Sequence, residues 1–103
     1  MNTIGIFSKQ ADGSYSGAVR TLFREAQGVE LRPVARESDK APDFKLLRDG
    51  IECGAAWAKT SHDGRRYLSV KMDDPSLMAP IFANLVEAED GYALIWSRRR
   101  NGE

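Results

Sequence analysis

The chain is poor in the residues on which most protein chemistry depends. It has one cysteine and one histidine in 103 residues, so an internal disulfide is excluded and any nucleophile–imidazole relay would have to use the single His62. Those two residues cannot close a zinc site of the usual kind within the chain. No apolar run approaches the roughly 20 residues that span a bilayer. The N-terminal MNTIGIFSKQ has neither a basic leader nor a long apolar core, and with the lone thiol this leads to the expectation of a cytoplasmic protein without membrane attachment. Net charge is also missing: fifteen basic and fifteen acidic residues cancel, leaving no whole-molecule field to draw in nucleic acid or anionic lipid. Neither of the glycine-loop signatures for nucleotide phosphates occurs, and there are no internal repeats or low-complexity segments.

What is present is the material of one folded domain. The composition is 42% hydrophobic and 29% charged, and a chain of this length removes roughly 60–70% of its unfolded surface from water, enough for one core. A single domain over residues 1–103 is expected, with residues 99–103 a frayed tail. Asp-Gly recurs at Asp12-Gly13, Asp49-Gly50, Asp63-Gly64 and Asp90-Gly91. Such pairs suit the positive φ of type I′ hairpin turns. The runs around them read as strands: Thr3 to Lys9, Tyr15 to Arg24, Val29 to Arg36, Phe44 to Arg48, Ile51 to Thr60, Tyr67 to Met72, Ile81 to Glu87 and Tyr92 to Arg98. Tyr15, Gly17, Val19, Thr21 and Phe23 alternate with Ser16, Ala18, Arg20, Leu22 and Arg24, and Leu68, Val70 and Met72 alternate with more polar neighbours. This period of two is that of a half-buried sheet.

The expected class is therefore mainly β, an antiparallel meander of about seven or eight strands forming a small barrel or a strongly bent sheet. The core is read as Val19, Leu31, Trp57, Leu68, Val70, Leu94 and Trp96. ESDKAP at Glu37 to Pro42 and DDPSLMAP at Asp73 to Pro80 read as connections, the second a longer loop or a single helical turn. Ile81 to Ala88 is read as strand. A short helix there, which would make the class α+β, is the alternative, because Ile81, Leu85 and Ala88 share a helical face.

Candidates for chemistry are few. His62 falls at an expected hairpin tip, where nothing tunes a base. Cys53 is read as a small core hydrophobe on the face of Ile51, Ala55 and Trp57. Asp73 and Asp74 sit together but lack the spaced oxygen ligands of a cation loop; a divalent-ion enzyme built on them is the weakest reading. Tyr67, Tyr92, Trp57 and Trp96 are candidates for stacking on bases, although aromatic residues on strands more often fill cores. Pairing of Tyr15 to Arg24 with Val29 to Arg36 would put Arg20, Arg24, Arg32 and Arg36 on one solvent face with Glu30. Such a face is either a phosphate-tracking or partner-binding patch, or a solvated sheet surface. Charge is uneven along the chain: residues 1–36 carry five basic and three acidic groups, residues 73–103 three and six.

Several blocks in order resemble one bacterial family. Ile4-Gly5 with Phe7, Asp12-Gly13, Tyr15, Gly17 and Thr21-Leu22 are followed by SDKAPDF at 38–44, GAAWAKTS at 54–61, YLSVKMDDPS at 67–76, API at 79–81, ANL at 83–85 and LIWSR at 94–98. Together they are similar to the domain of unknown function 736, end to end. The departure is Leu77-Met78, where relatives more often look like Phe-Pro. The resemblance implies a small protein of conjugative plasmids and integrative elements of proteobacteria, and brings no activity and no site residues with it.

The functional expectation is a non-enzymatic binding module without cofactor or metal. Its partner is expected to be a protein, in the transfer machinery or in a host defence complex of the CRISPR type. The alternative is single-stranded DNA or RNA, held by Arg20, Arg24, Arg32 and Arg36. Self-association is compatible with either.

Overall fold

The computed structural model describes residues 3–22, 25–75, 77–89 and 91–96. They form eight strands: β1 (Thr3–Lys9), β2 (Tyr15–Arg20), β3 (Glu25–Pro33), β4 (Phe44–Arg48), β5 (Ile51–Thr60), β6 (Arg66–Met72), β7 (Ile81–Ala88) and β8 (Gly91–Trp96). Each pairs antiparallel with the next, and β8 returns to β1 through Gly5↔Leu94, Ile6↔Ala93 and Phe7↔Tyr92, so the sheet closes into a barrel with no open edge. Residues 81–88 are strand, and the class is all-β. Eight strands give an interior that side chains just fill. The frayed tail expected at 99–103 lies outside the described residues.

The turns share glycine but not one geometry. Asp49 and Gly50 both have positive φ, 53° and 81°, which makes the two-residue β4–β5 link the type I′ turn. At the first and third Asp-Gly pairs only the glycine is left-handed. There Gly13 N–H donates to Gln10 O (3.1 Å) and Gln10 N–H to Ser14 O (2.7 Å), and Gly64 and Ser61 repeat the pattern with Ser61 and Arg65. These are type I turns closed by a glycine bulge, which need glycine at the same place. Asp90 lies outside the described residues.

Side chains alternate inward and outward along each strand, and the interior holds Phe7, Leu31, Leu46, Val70, Leu85 and Leu94, each at most 2% exposed. Of the expected core, Leu31, Leu68, Val70 and Leu94 are buried, while Val19 and Trp96 are half-buried against them. Trp57 is not in the core. It faces outward on β5, and its indole N–H donates to Lys40 O (3.0 Å), strapping the β3–β4 connection to the barrel wall. The cause is a β-bulge: Leu46 pairs with Gly54 but Leu47 pairs with Glu52, so Cys53 is an extra residue. The bulge separates Cys53, which packs on the core, from the face of Ala55 and Trp57 with which the alternation had grouped it. A second bulge, between Gly17 and Val19 on β2, absorbs an extra residue of β3 near Gly28.

The tips of two hairpins carry a pH signature. Asp12 Oδ1 accepts from Ser14 Oγ (2.6 Å) and Ser14 N–H (2.9 Å), and Asp63 Oδ1 accepts from Ser61 Oγ and Arg65 N–H. These bonds, the serine hydroxyls first, hold both carboxyls below the ordinary carboxylate value of 3.8. A carboxyl whose pKa is depressed in the native state stabilises the fold above its unfolded value and loses that contribution as pH falls through the native one. Carboxyl titration followed by NMR is expected to place Asp12 and Asp63 below the ordinary carboxylate value, and Ser14→Ala to move Asp12 upward.

Candidate functional site

The arginines singled out in the sequence do not form one patch. Arg20 and Arg32 both lie on the outer face, as alternation requires, but at opposite ends of the β2–β3 ribbon. Arg20 sits across from Glu25, and the guanidinium of Arg32 pairs with Glu30 at 2.9 Å. Arg36 is beyond the end of β3, on the connection to β4, where it lies 3.6 Å from Asp43 and donates to the carbonyl of Asp39. Arg24 lies outside the described residues. Each of the three described positions therefore stands beside an acid, which leaves little uncompensated charge.

The two ends of the barrel differ more than its sides. One end is plugged by Ile4, Val19, Ala26, Leu77, Ile81 and Trp96, all half-buried against the core. Over this plug run the β2–β3, β4–β5 and β6–β7 connections. Three large apolar side chains stand in solvent here: Leu22 on the β2–β3 connection (87% exposed), Ile51 at the start of β5 (67%) and the fully exposed Met78 on the β6–β7 connection. Of the four exposed large hydrophobic side chains among the described residues, these are three; the other, Ile6, is on the wall. The same connections and adjoining strand ends bear Glu25, Asp49, Glu52, Asp73 and Asp74 against Arg20, Arg48 and Lys71. Lys45 pairs with Glu52 at 3.6 Å, and Arg48 Nε–H donates to Gln27 O. Apolar tips bordered by acid thus crown the plugged end.

The other end is open. Positions that point inward become polar there: Lys9 follows Phe7, Arg66 precedes Leu68, Glu87 follows Leu85 and Thr60 follows Ala58. The cleft they line reaches down to Tyr15, Phe44 and Tyr92. Tyr15 takes both neighbouring rings edge-on, Phe44 at 5.7 Å and Tyr92 at 4.9 Å between centroids, the arrangement that aromatic quadrupoles favour. Burial raises the Tyr15 phenol above its ordinary value of 10.0, and the neighbouring Tyr92 hydroxyl adds to this. Alternation carries the signal, since Lys9, Arg66 and Glu87 share the parity of Phe7, Leu68 and Leu85.

A family model described as "Protein of unknown function (DUF736)" matches residues 3–99. The chain belongs to this family. No curated protein and no solved structure matches it.

Elsewhere in this DUF736 member the chemically able groups are dispersed. Cys53 is half-buried, and burial first, then the charge of Asp74, raises its thiol above 9.0; a thiol so placed holds little thiolate near neutrality. His62 stands exposed on the β5–β6 turn, as read from sequence. Leu77 N–H donates to Asp74 O (2.8 Å), so the Asp73-Asp74 segment enters a turn, without helix. Among the described residues no group of three or more His, Cys, Asp or Glu side chains converges on a metal-sized site. No helix among them is long and apolar enough to cross a membrane.

Proposed function

We propose that this protein is a non-enzymatic binding module of a mobile genetic element, and that it docks a protein partner with its plugged end. The observation that carries the reading is the placement of Leu22, Ile51 and Met78 in solvent at one end, on two connections and the first residue of β5. Exposing apolar side chains in a group is costly to solubility and marks interaction surfaces. Because the barrel has no free edge, a partner cannot extend the sheet and must be met by side chains. The acids around the tips favour a partner whose apolar pocket has a basic border, and complementary charge of this kind speeds encounter and fixes orientation. Basic surfaces are what nucleic-acid-handling complexes present, which agrees with a partner in conjugative transfer or in a CRISPR-type defence complex.

Affinity capture from the bacterial host tests this. The wild-type protein is expected to retain a discrete partner, and the variant Leu22→Ser/Ile51→Ser/Met78→Ser to lose it. Because these side chains are exposed, the variant should melt close to wild type. Equal retention by both would reject the plugged end as the docking surface.

A further inference from the structure

We infer that the open end of the barrel is a second, separate binding site, and that it takes a nucleotide unit, a planar base joined to phosphate. The sequence pattern marks this end, because Lys9, Arg66 and Glu87 occupy inward positions of β1, β6 and β7 at which a closed core would need apolar residues. Three inward positions at this end are charged, against one at the plugged end, where Arg48 pairs with the buried Val29. Lys59, Asp63 and Arg65 on the rim bring the charged side chains of its lining to six.

The ligand class follows from two features. The first is the state of the cations. Arg32, Arg36 and Lys45, away from the mouth, and Arg65, on its rim, are each within 4 Å of a carboxylate. At the mouth, no acid pairs with Lys59 or Arg66 among the described residues, and the Lys9 ammonium stands 5.9 Å from the Tyr15 ring centroid. The lining carries Lys9, Lys59, Arg65 and Arg66 against Asp63 and Glu87, and a surplus of cations along a cleft favours an anion. The second is the floor. Phe44 and Tyr92 are half-buried and line the cleft, with Tyr15 beneath holding both edge-on. Aromatic surface next to cations suits a flat ring bearing phosphate, because a base stacks on or edges against the rings while its phosphate reaches the ammonium and guanidinium groups. Glu87, across from Tyr92, supplies an acceptor for an exocyclic amino or imino group. This site is distinct from Arg20 and Arg32 on the outer wall, and it does not depend on the plugged end.

The same chemistry is offered by a free nucleotide and by single-stranded nucleic acid, and one titration series separates them. Fluorescence anisotropy of short labelled oligo(dT) is measured with wild type, with Lys9→Ala/Arg66→Ala, with Tyr92→Leu and with the outer-wall control Arg20→Ala/Arg32→Ala. Thymidine monophosphate and poly-glutamate serve as competitors. The mouth variants are expected to weaken binding about tenfold or more, the control to leave it unchanged, and rising salt to weaken it in the manner of phosphate contacts. Displacement by the monophosphate at concentrations matching the oligonucleotide assigns a single-nucleotide site; displacement only by longer strands assigns a single-strand site. The inference is overturned by no binding at low salt, by binding indifferent to Lys9→Ala/Arg66→Ala, or by poly-glutamate competing as well as the oligonucleotide. Should Tyr92→Leu fail to fold, the Lys9→Ala/Arg66→Ala result alone decides, since both side chains are exposed.

Discussion

Truncating Phe7 to alanine is expected to lower the unfolding free energy by about 3–5 kcal/mol. Phe7 is 1% exposed and sits where the barrel closes, paired with Gly17 on β2 and Tyr92 on β8. Its loss removes a large buried apolar surface and opens a cavity between the first and last strands, which rigid barrel walls cannot collapse to fill. A domain of this size has only about 5–15 kcal/mol in hand, so the urea midpoint should fall sharply. The neighbouring Ile6→Ala, on an outward side chain that is 61% exposed, is expected to change stability by about 0.5 kcal/mol or less. A larger cost at 6 than at 7 would mean that β1 faces the other way.

Gly54→Ala is expected to be as severe for a different reason. An added Cβ at this position would stand 2.2 Å from Lys71 O and 3.1 Å from Leu46 Cδ2. The obstacle is backbone on β6, which moves only if the strands part beside the Cys53 bulge. Overpacking of this kind costs on the order of 3 kcal/mol. Gly64→Ala makes the contrast: nothing lies within 4 Å of the new atom, but φ is +86°, a conformation that costs a side chain about 1–2 kcal/mol. Urea unfolding of the two variants should therefore rank Gly54→Ala well below Gly64→Ala. The reverse order would place strain in the turns rather than in strand approach.

Much of this fold was legible because local pattern and tertiary burial agree. Tyr15, Gly17 and Val19 alternate inward, as do Leu68, Val70 and Met72, because one wall of each strand faces a packed interior. The Asp-Gly pairs marked their hairpins even where the turn was type I with a bulge, since either geometry demands a left-handed residue at the glycine. Trp57 was misplaced because parity counted across Gly54 takes no account of an inserted residue, and nothing at Cys53 announces one. Phe7 was missed as a core residue because Ile4-Gly5-Ile6-Phe7 is apolar on both faces. Closure of β8 on β1 joins residues some ninety positions apart and leaves no local trace.

The site was less legible than the fold. Alternation correctly turned Arg20 and Arg32 outward, but a one-dimensional reading could not show Glu25 and Glu30 beside them, or Arg36 drawn to Asp43. Grouping of Leu22, Ile51 and Met78 at one end depends on the up-and-down order of all eight strands. Their exposure breaks the ordinary rule for apolar residues, and that is where function is to be sought.

The central claim is that a protein partner is met by the plugged end, and in-cell photo-crosslinking tests it most directly. A photoreactive amino acid is placed at position 51 or 78, and at position 38 on the opposite connection as control. Positions 51 and 78 are expected to yield the same discrete crosslinked protein, and position 38 not to yield it. No product from 51 and 78, or an identical set from all three positions, would contradict the account.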